Sequence, residues 1–190
     1  MAVPTVSGGH ALQALLRIAG YIDRVSWFFA CIAAGLVLVS ALISAGNALS
    51  RYAFDISSNA WLEIQWQMFA GIFLLGAAQV LKLNEHVRVD ILYMGRSARA
   101  KLWTDVFGLI LFLIPVCVMM VWMGEFFFQD SFEDMEISAS AGGLPLWPVK
   151  ALLPFGFFLL LLQGLAELIK RIAGLQGDAR FQTAYEKPLQ

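Results

Sequence analysis

Long stretches without charge, separated by short polar segments, organise this chain. No Asp, Glu, Lys or Arg lies between Arg24 and Arg51, between Glu63 and Lys82, between Asp105 and Glu125, or between Lys150 and Glu167. Each gap is close to the roughly 20 residues that an α-helix needs to cross the hydrocarbon of a bilayer. Stretches such as Phe155 to Leu162 do not alternate polar with apolar residues, as barrel strands would, so the backbone must close its hydrogen bonds within helices. The pattern predicts an all-α integral membrane protein with four transmembrane helices, at about 25–50, 63–82, 103–126 and 148–170. They form one membrane domain over residues 1–172, followed by a polar tail at 173–190.

Two details refine the ends. The fourth charge-free run is the shortest, and Trp147, Lys150, Lys170 and Arg171 extend it as interfacial anchors, with Pro148 near its first turn, where a missing amide costs little. Ahead of the first span, Leu12, Leu15, Leu16, Ala19 and Ile22 recur at three- and four-residue spacing among His10, Gln13, Arg17 and Arg24. That spacing predicts an N-terminal interfacial helix, and a continuous extension of the first span into water fits it equally well. The first charge-free run exceeds the about 7 to 15 residues of a signal-peptide core, so it is expected to stay in the mature protein.

Composition agrees with the pattern. Of 190 residues, 59% are hydrophobic and 14% charged, with mean hydropathy +0.72, against roughly 45–50% and about 25% in soluble domains. A water-soluble fold and a second globular domain are both excluded. The position of the charges matters more than their net value of -1. Arg17 and Arg24, then Lys82, Arg88, Arg96, Arg99 and Lys101, then Lys170, Arg171, Arg180 and Lys187 fall on one side of the four spans. Arg51 and Lys150 alone fall on the other, together with Asp55, Glu63, Glu125, Asp130, Glu133, Asp134 and Glu136. The positive-inside rule then places both termini of a multi-pass membrane protein in the cytoplasm. No basic surface is left for nucleic acid, and membrane lipids are the expected surroundings.

Reactive chemistry is sparse. Cys31 and Cys117 both fall within spans and read as packed small hydrophobes, and no CxxC pair occurs. His10 and His86 lie outside the spans, whereas a membrane haem needs ligands projecting within the bilayer. No nucleophile elbow, P-loop or dinucleotide fingerprint is present, so an enzyme is not expected and neither is a cofactor. The centres of all four spans lack the ionisable residues that mark ion and proton pathways. Gln65, Gln67, Gln79 and Gln163 are expected to hydrogen-bond to other helices, of this chain or of a partner. Small residues, including Ala30, Ala34, Ala41, Ala45 and Ala48 in the first span and Gly71, Ala77 and Ala78 in the second, allow helices to approach closely. Pro115 and Pro154 each remove a backbone donor from a span and are expected to kink it. Asn47 and Arg51 share a helix face near the end of the first span, and Glu63 opens the second at the same level. Two arrangements are open for Arg51 and Glu63, an ion pair or two separately solvated interfacial charges.

The most specific stretch runs from Arg51 to Leu92. It reads Arg51-Tyr52-Ala53-Phe54, Trp61-Leu62-Glu63, Phe73-Leu74-Leu75-Gly76-Ala77-Ala78 and Glu85-His86-Val87-Arg88-Val89-Asp90-Ile91-Leu92. This resembles the small membrane subunit, the DctQ type, of tripartite ATP-independent periplasmic (TRAP) transporters. The later run Gly142-Gly143-Leu144-Pro145-Leu146-Trp147-Pro148-Val149-Lys150-Ala151 is similar to a branch whose systems are labelled for mannitol, chloroaromatic or 2-oxo acid substrates.

The resemblance implies a small permease subunit that acts as a scaffold for a large, DctM-type permease subunit. In such systems the large subunit moves a carboxylate or related solute with sodium ions, and a DctP-type binding protein delivers the solute from the periplasm. It also implies subunit-assembly roles for Arg51, Trp61, Glu63, Gly76, Glu85, His86 and Asp90, with no catalytic, cofactor or metal residues in this chain. The family pattern often has two adjacent acids after the Trp, whereas here Glu63 is followed by Ile64, which argues against a shared carboxylate pair. A membrane anchor subunit of a quinone-linked oxidoreductase is the alternative reading.

The charge asymmetry makes the topology testable. In a background lacking Cys31 and Cys117, single cysteines at Ser57 and Ser138 should label from the periplasm, and those at Ser97 and Thr183 from the cytoplasm. Periplasmic labelling at position 97 would refute the orientation.

Overall fold

A computed structural model describes residues 10–84 and 97–178. Four stretches of helix are long and apolar enough to cross a membrane. They are α1 (His10–Phe54), α2 (Asn59–Leu83), the third span comprising α3 (Ala98–Gly108), a π turn (Leu109–Leu113) and α4 (Ile114–Glu133), and α5 (Trp147–Leu175). The chain therefore has a hairpin end, carrying residues 55–58 and 134–146, and an opposite end toward which residues 10 and 178 lie.

α5 is the central element. It packs against α1, α2, α3 and α4, while α1 also packs along α2. The residues that let α5 occupy this place are small or polar, with Gly156, Gly164, Ala166, Ala173, Gly174, Gln163 and Glu167 all buried. In lipid, helices gain little from hiding apolar side chains from one another, so close backbone approach and interhelical hydrogen bonds decide which faces meet. The apolar core joins Ala33, Leu75, Ala78 and Leu159, with Phe29, Leu36 and Leu152 against it.

α1 contains 45 residues without interruption, which corresponds to roughly 65–70 Å of helix against about 30 Å of hydrocarbon. A separate in-plane helix at the N-terminus is therefore replaced by a continuous extension of the first span. The reason lies in its seam. Ala19, Ser26, Ala33 and Ser40 are its buried residues and recur every seventh position, so one straight stripe carries through the expected junction. Of the alanines singled out in the sequence, Ala34, Ala41, Ala45 and Ala48 lie on exposed faces of α1. Cys31 is exposed as well, whereas Cys117 is buried, so only the second behaves as a packed small hydrophobe.

Both prolines are absorbed by local geometry. Before Pro115 the helix widens into the π turn, in which the amide of Ile114 donates to the carbonyl of Leu109. The wider turn relieves the clash a proline ring makes with the carbonyl four residues earlier. Pro154 is buried with its ring in the space left by the absent side chain of Gly124.

At the crossing of α5 on α2 a glycine meets backbone. A Cβ on Gly156 would stand 2.6 Å from Leu74 Cβ and 2.9 Å from the Leu74 carbonyl oxygen, so any side chain there forces the helices apart. Gly156→Ala is expected to destabilise the isolated chain by about 1–3 kcal/mol. Gly46→Ala, at a position open on all sides, should be neutral or stabilising by up to about 1 kcal/mol. Thermal melts of the two variants in detergent check the contrast, and equal effects would contradict the crossing.

Candidate functional site

The polar groups of the fold gather at its two ends. Away from the hairpins, Gln163, Glu167 and Arg171 repeat every four residues on one face of α5, with Lys170 beside them. Ser26 Oγ of α1 donates to Gln163 Oε1 at 2.7 Å. Gln163 Nε2 donates to Asp23 Oδ1 at 3.0 Å and to Glu167 Oε1 at 3.1 Å. Lys170 Nζ lies 2.7 and 2.9 Å from the two Asp23 oxygens and 2.8 Å from Glu167 Oε1. Arg171 Nε approaches Asp105 Oδ2 of α3 at 3.1 Å, and its Nη2 approaches Glu167 Oε2 at 3.4 Å.

Three carboxylates thus face two cations in a setting from which most water is excluded. Each charge there has a counter-charge, the condition under which buried ions persist. These side chains bind one another, so the cluster is a clasp joining α1, α3 and α5. Beside it lies a groove of about 490 Å³ with largely apolar walls, among them Leu109, Phe112, Leu113, Phe157 and Leu160.

The hairpin end is built differently. Residues 136–146 fold back through a bridge between Ile137 and Pro145, with the Ser138 amide on the Leu144 carbonyl at 2.9 Å and the Leu146 amide on the Glu136 carbonyl at 3.0 Å. Lys150 Nζ binds Glu136 and lies 4.1 Å from the centroid of the Phe127 ring. The hydrogen bond from Lys150 holds the Glu136 carboxyl below its ordinary pKa. Gln67 Nε2 donates to the Pro145 carbonyl at 3.3 Å and ties the hairpin to α2. Ser58 caps α2, its hydroxyl accepting from the Ala60 amide.

Glu63 sits beneath this hairpin and is only 2% exposed. Neither of its carboxylate oxygens has a hydrogen-bond partner. Gly142 passes directly over it, where an added Cβ would stand 2.4 Å from Glu63 Oε2 and 2.8 Å from the Ala60 Cα. Only glycine fits there, which gives the Gly142-Gly143 pair a physical reason; Gly143 also takes the positive φ of +60° that a side chain resists. With Asn59, Leu62, Trp66, Ser140 and Ala141, Glu63 lines a pocket of about 380 Å³.

Arg51 does not answer this carboxylate. It is exposed near the end of α1 and makes no ion pair among the described residues, so of the two arrangements open in the sequence the ion pair is not formed. The physical reason is the facing of α2, which turns Glu63 onto the inward stripe with Gly71, Leu75 and Ala78.

The remaining sequence candidates are scattered. Trp61 is exposed, and Gly76 faces Ala33 of α1. Glu85, His86 and Asp90 lie outside the described residues. Among the glutamines, Gln163 and Gln67 bind other parts of this chain, whereas Gln65 Nε2 and Gln79 Oε1 are buried without a partner. Among the described residues, no group of three or more His, Cys, Asp or Glu is placed to hold a metal ion.

Sequence reasoning missed the roles of Asp23, which it did not use, and of Asp105, which served only to mark the edge of a span. The available signal was the four-residue repeat of Gln163, Glu167 and Arg171, a polar stripe that must turn inward on an otherwise apolar helix.

The fold and its polar groups define a class: a four-span membrane protein whose ionisable side chains lie toward helix ends. Residues 40–174 match the family described as tripartite ATP-independent periplasmic transporters, DctQ component, and the chain belongs to it. It is thus a small permease component of a transporter, and the reading as a membrane anchor subunit of a quinone-linked oxidoreductase finds no support. Neither curated proteins nor solved structures gave a match.

The clasp can be tested directly. Lys170→Met removes the counter-charge of the half-buried Asp23, which keeps only the Gln163 amide, and is expected to cost about 1–3 kcal/mol. Adding Asp23→Asn should recover part of that loss. Equal melting temperatures for the single and double variants would show that the two side chains are not coupled.

Proposed function

We propose that this chain is the static scaffold of a sodium-coupled secondary transporter for a carboxylate or related small organic solute. It works in a bacterial inner membrane with both termini in the cytoplasm and the hairpin end in the periplasm. It binds the large permease subunit, and a periplasmic binding protein delivers solute to the assembly. Sodium coupling belongs to the large subunit, and this chain carries no cofactor.

One observation carries the reading. The charged side chains of α5 lie at its two ends, and those away from the hairpins are locked into the clasp with α1 and α3. Solute and ion coupling need polar groups or unwound backbone near mid-membrane depth. The described spans offer one π turn, and its backbone bond is made. Alternating access requires one body to move against another that stays still, and a chain clasped in this way supplies the still one.

Reconstitution checks the proposal. Liposomes with a sodium gradient and this chain alone should show no uptake above empty vesicles, even with loaded binding protein outside. Adding the large permease subunit should establish uptake, and omitting this chain from that mixture should abolish or strongly reduce the rate. Full activity of the large subunit without it would reject the scaffold role.

A further inference from the structure

Asp23, Asp105 and Glu167 each face a cation within this chain. Glu63 is more deeply buried than any of them and faces none. Burying a lone carboxylate is costly unless a counter-charge or several donors accompany it. The two cations at the hairpin end do not supply this, because Lys150 binds Glu136 and Arg51 is exposed without an ion pair among the described residues.

We propose that the pocket around Glu63 receives a lysine or arginine side chain of the large permease subunit, with Glu63 as its counter-ion. This rests on the reading that the chain assembles with such a subunit. Three features favour that occupant. The pocket walls Leu62 and Trp66 belong to an exposed apolar stripe of α2 that continues through Phe69 and Phe73. A stripe of this kind, at helical spacing along a span, suits a neighbouring membrane helix rather than a water-soluble protein. An ammonium or guanidinium group brings its own donors, and Ser140 and Asn59 beside the carboxylate can accept the remainder. A bare metal ion would find too few ligands, since no cluster of three is present among the described residues. The close approach of Gly142 to Glu63 Oε2 makes the hairpin the cover of the pocket, so seating the partner's side chain shifts residues 140–143.

The test exploits opposite signs. E63Q keeps the volume of the side chain and removes its charge. In the isolated chain it should raise the melting temperature, because the unanswered buried charge is gone. Association with the cognate large subunit, measured in nanodiscs, should weaken by about 30-fold or more, because the partner's cation is then stranded. A purely structural role would lower both.

Basic residues at the periplasmic face of the large subunit are then changed to Gln one at a time. One of them should reproduce the loss and show no further loss when combined with E63Q. This arm does not depend on how the E63Q chain folds. Wild-type binding with E63Q unaffected, or no coupled basic residue, overturns the inference and leaves the scaffold reading standing. A loss seen only in nanodiscs containing phosphatidylethanolamine would identify a lipid ammonium as the occupant and overturn it equally. Failure of the wild-type chain to bind the large subunit overturns both readings.

Discussion

The clasp of Gln163, Glu167, Lys170 and Arg171 against Asp23, Ser26 and Asp105 is the constraint from which the arrangement of helices follows. Apolar surface cannot sort helices in a bilayer, because lipid tails accept any apolar face. A polar stripe can, because its exposure to hydrocarbon is costly and its partners must come from other helices. α5 therefore turns inward, and α1 and α3 are drawn to the faces where their aspartates meet its cations. Small residues along α5 then let the helices close to contact distance, with Gly156 against the Leu74 backbone and Gly164 against the Leu113 side chain. Charge fixes which helices are neighbours, and the absence of side chains fixes how near they come.

The two ends of the bundle follow opposite rules. At the end away from the hairpins each buried charge is answered within the chain, and the result is rigidity. At the hairpin end Lys150 and Glu136 satisfy each other near the surface, while Glu63 is carried inward and left without a donor. On the proposed reading these are the two properties of a scaffold: a closed interior that keeps its shape and an unanswered charge for a partner to meet. Gly142 connects them, since its missing side chain allows the hairpin to cover the carboxylate.

The absence of charge at mid-depth gives the same division of labour a chemical basis. A solute carrier must offer polar groups where the bilayer is thickest and must exchange them between two accessible states. Here the stretches between Glu63 and Lys82 and between Asp105 and Glu125 contain no Asp, Glu, Lys or Arg. Such helices can support a moving partner without competing for its ions. Membership of the DctQ family makes the chain a small permease component.

Charge-free runs of spanning length, and a run from Arg51 to Leu92 that resembles a known family, were enough in the sequence to point to four membrane helices and the class of transporter component. These features are local, because the bilayer imposes the same length and hydrophobicity on every span. Partnerships were not legible in this way. Whether Arg51 or nothing would meet Glu63, whether the N-terminal segment would break from α1, and which aspartates would answer Lys170 and Arg171 all depend on the rotation of one helix against another. A seven-residue seam of Ala19, Ser26, Ala33 and Ser40 sets that rotation for α1, and the four-residue repeat on α5 sets it for the rest. Helical period can be read along a chain, but the angle at which two periodic faces meet is decided only when they pack.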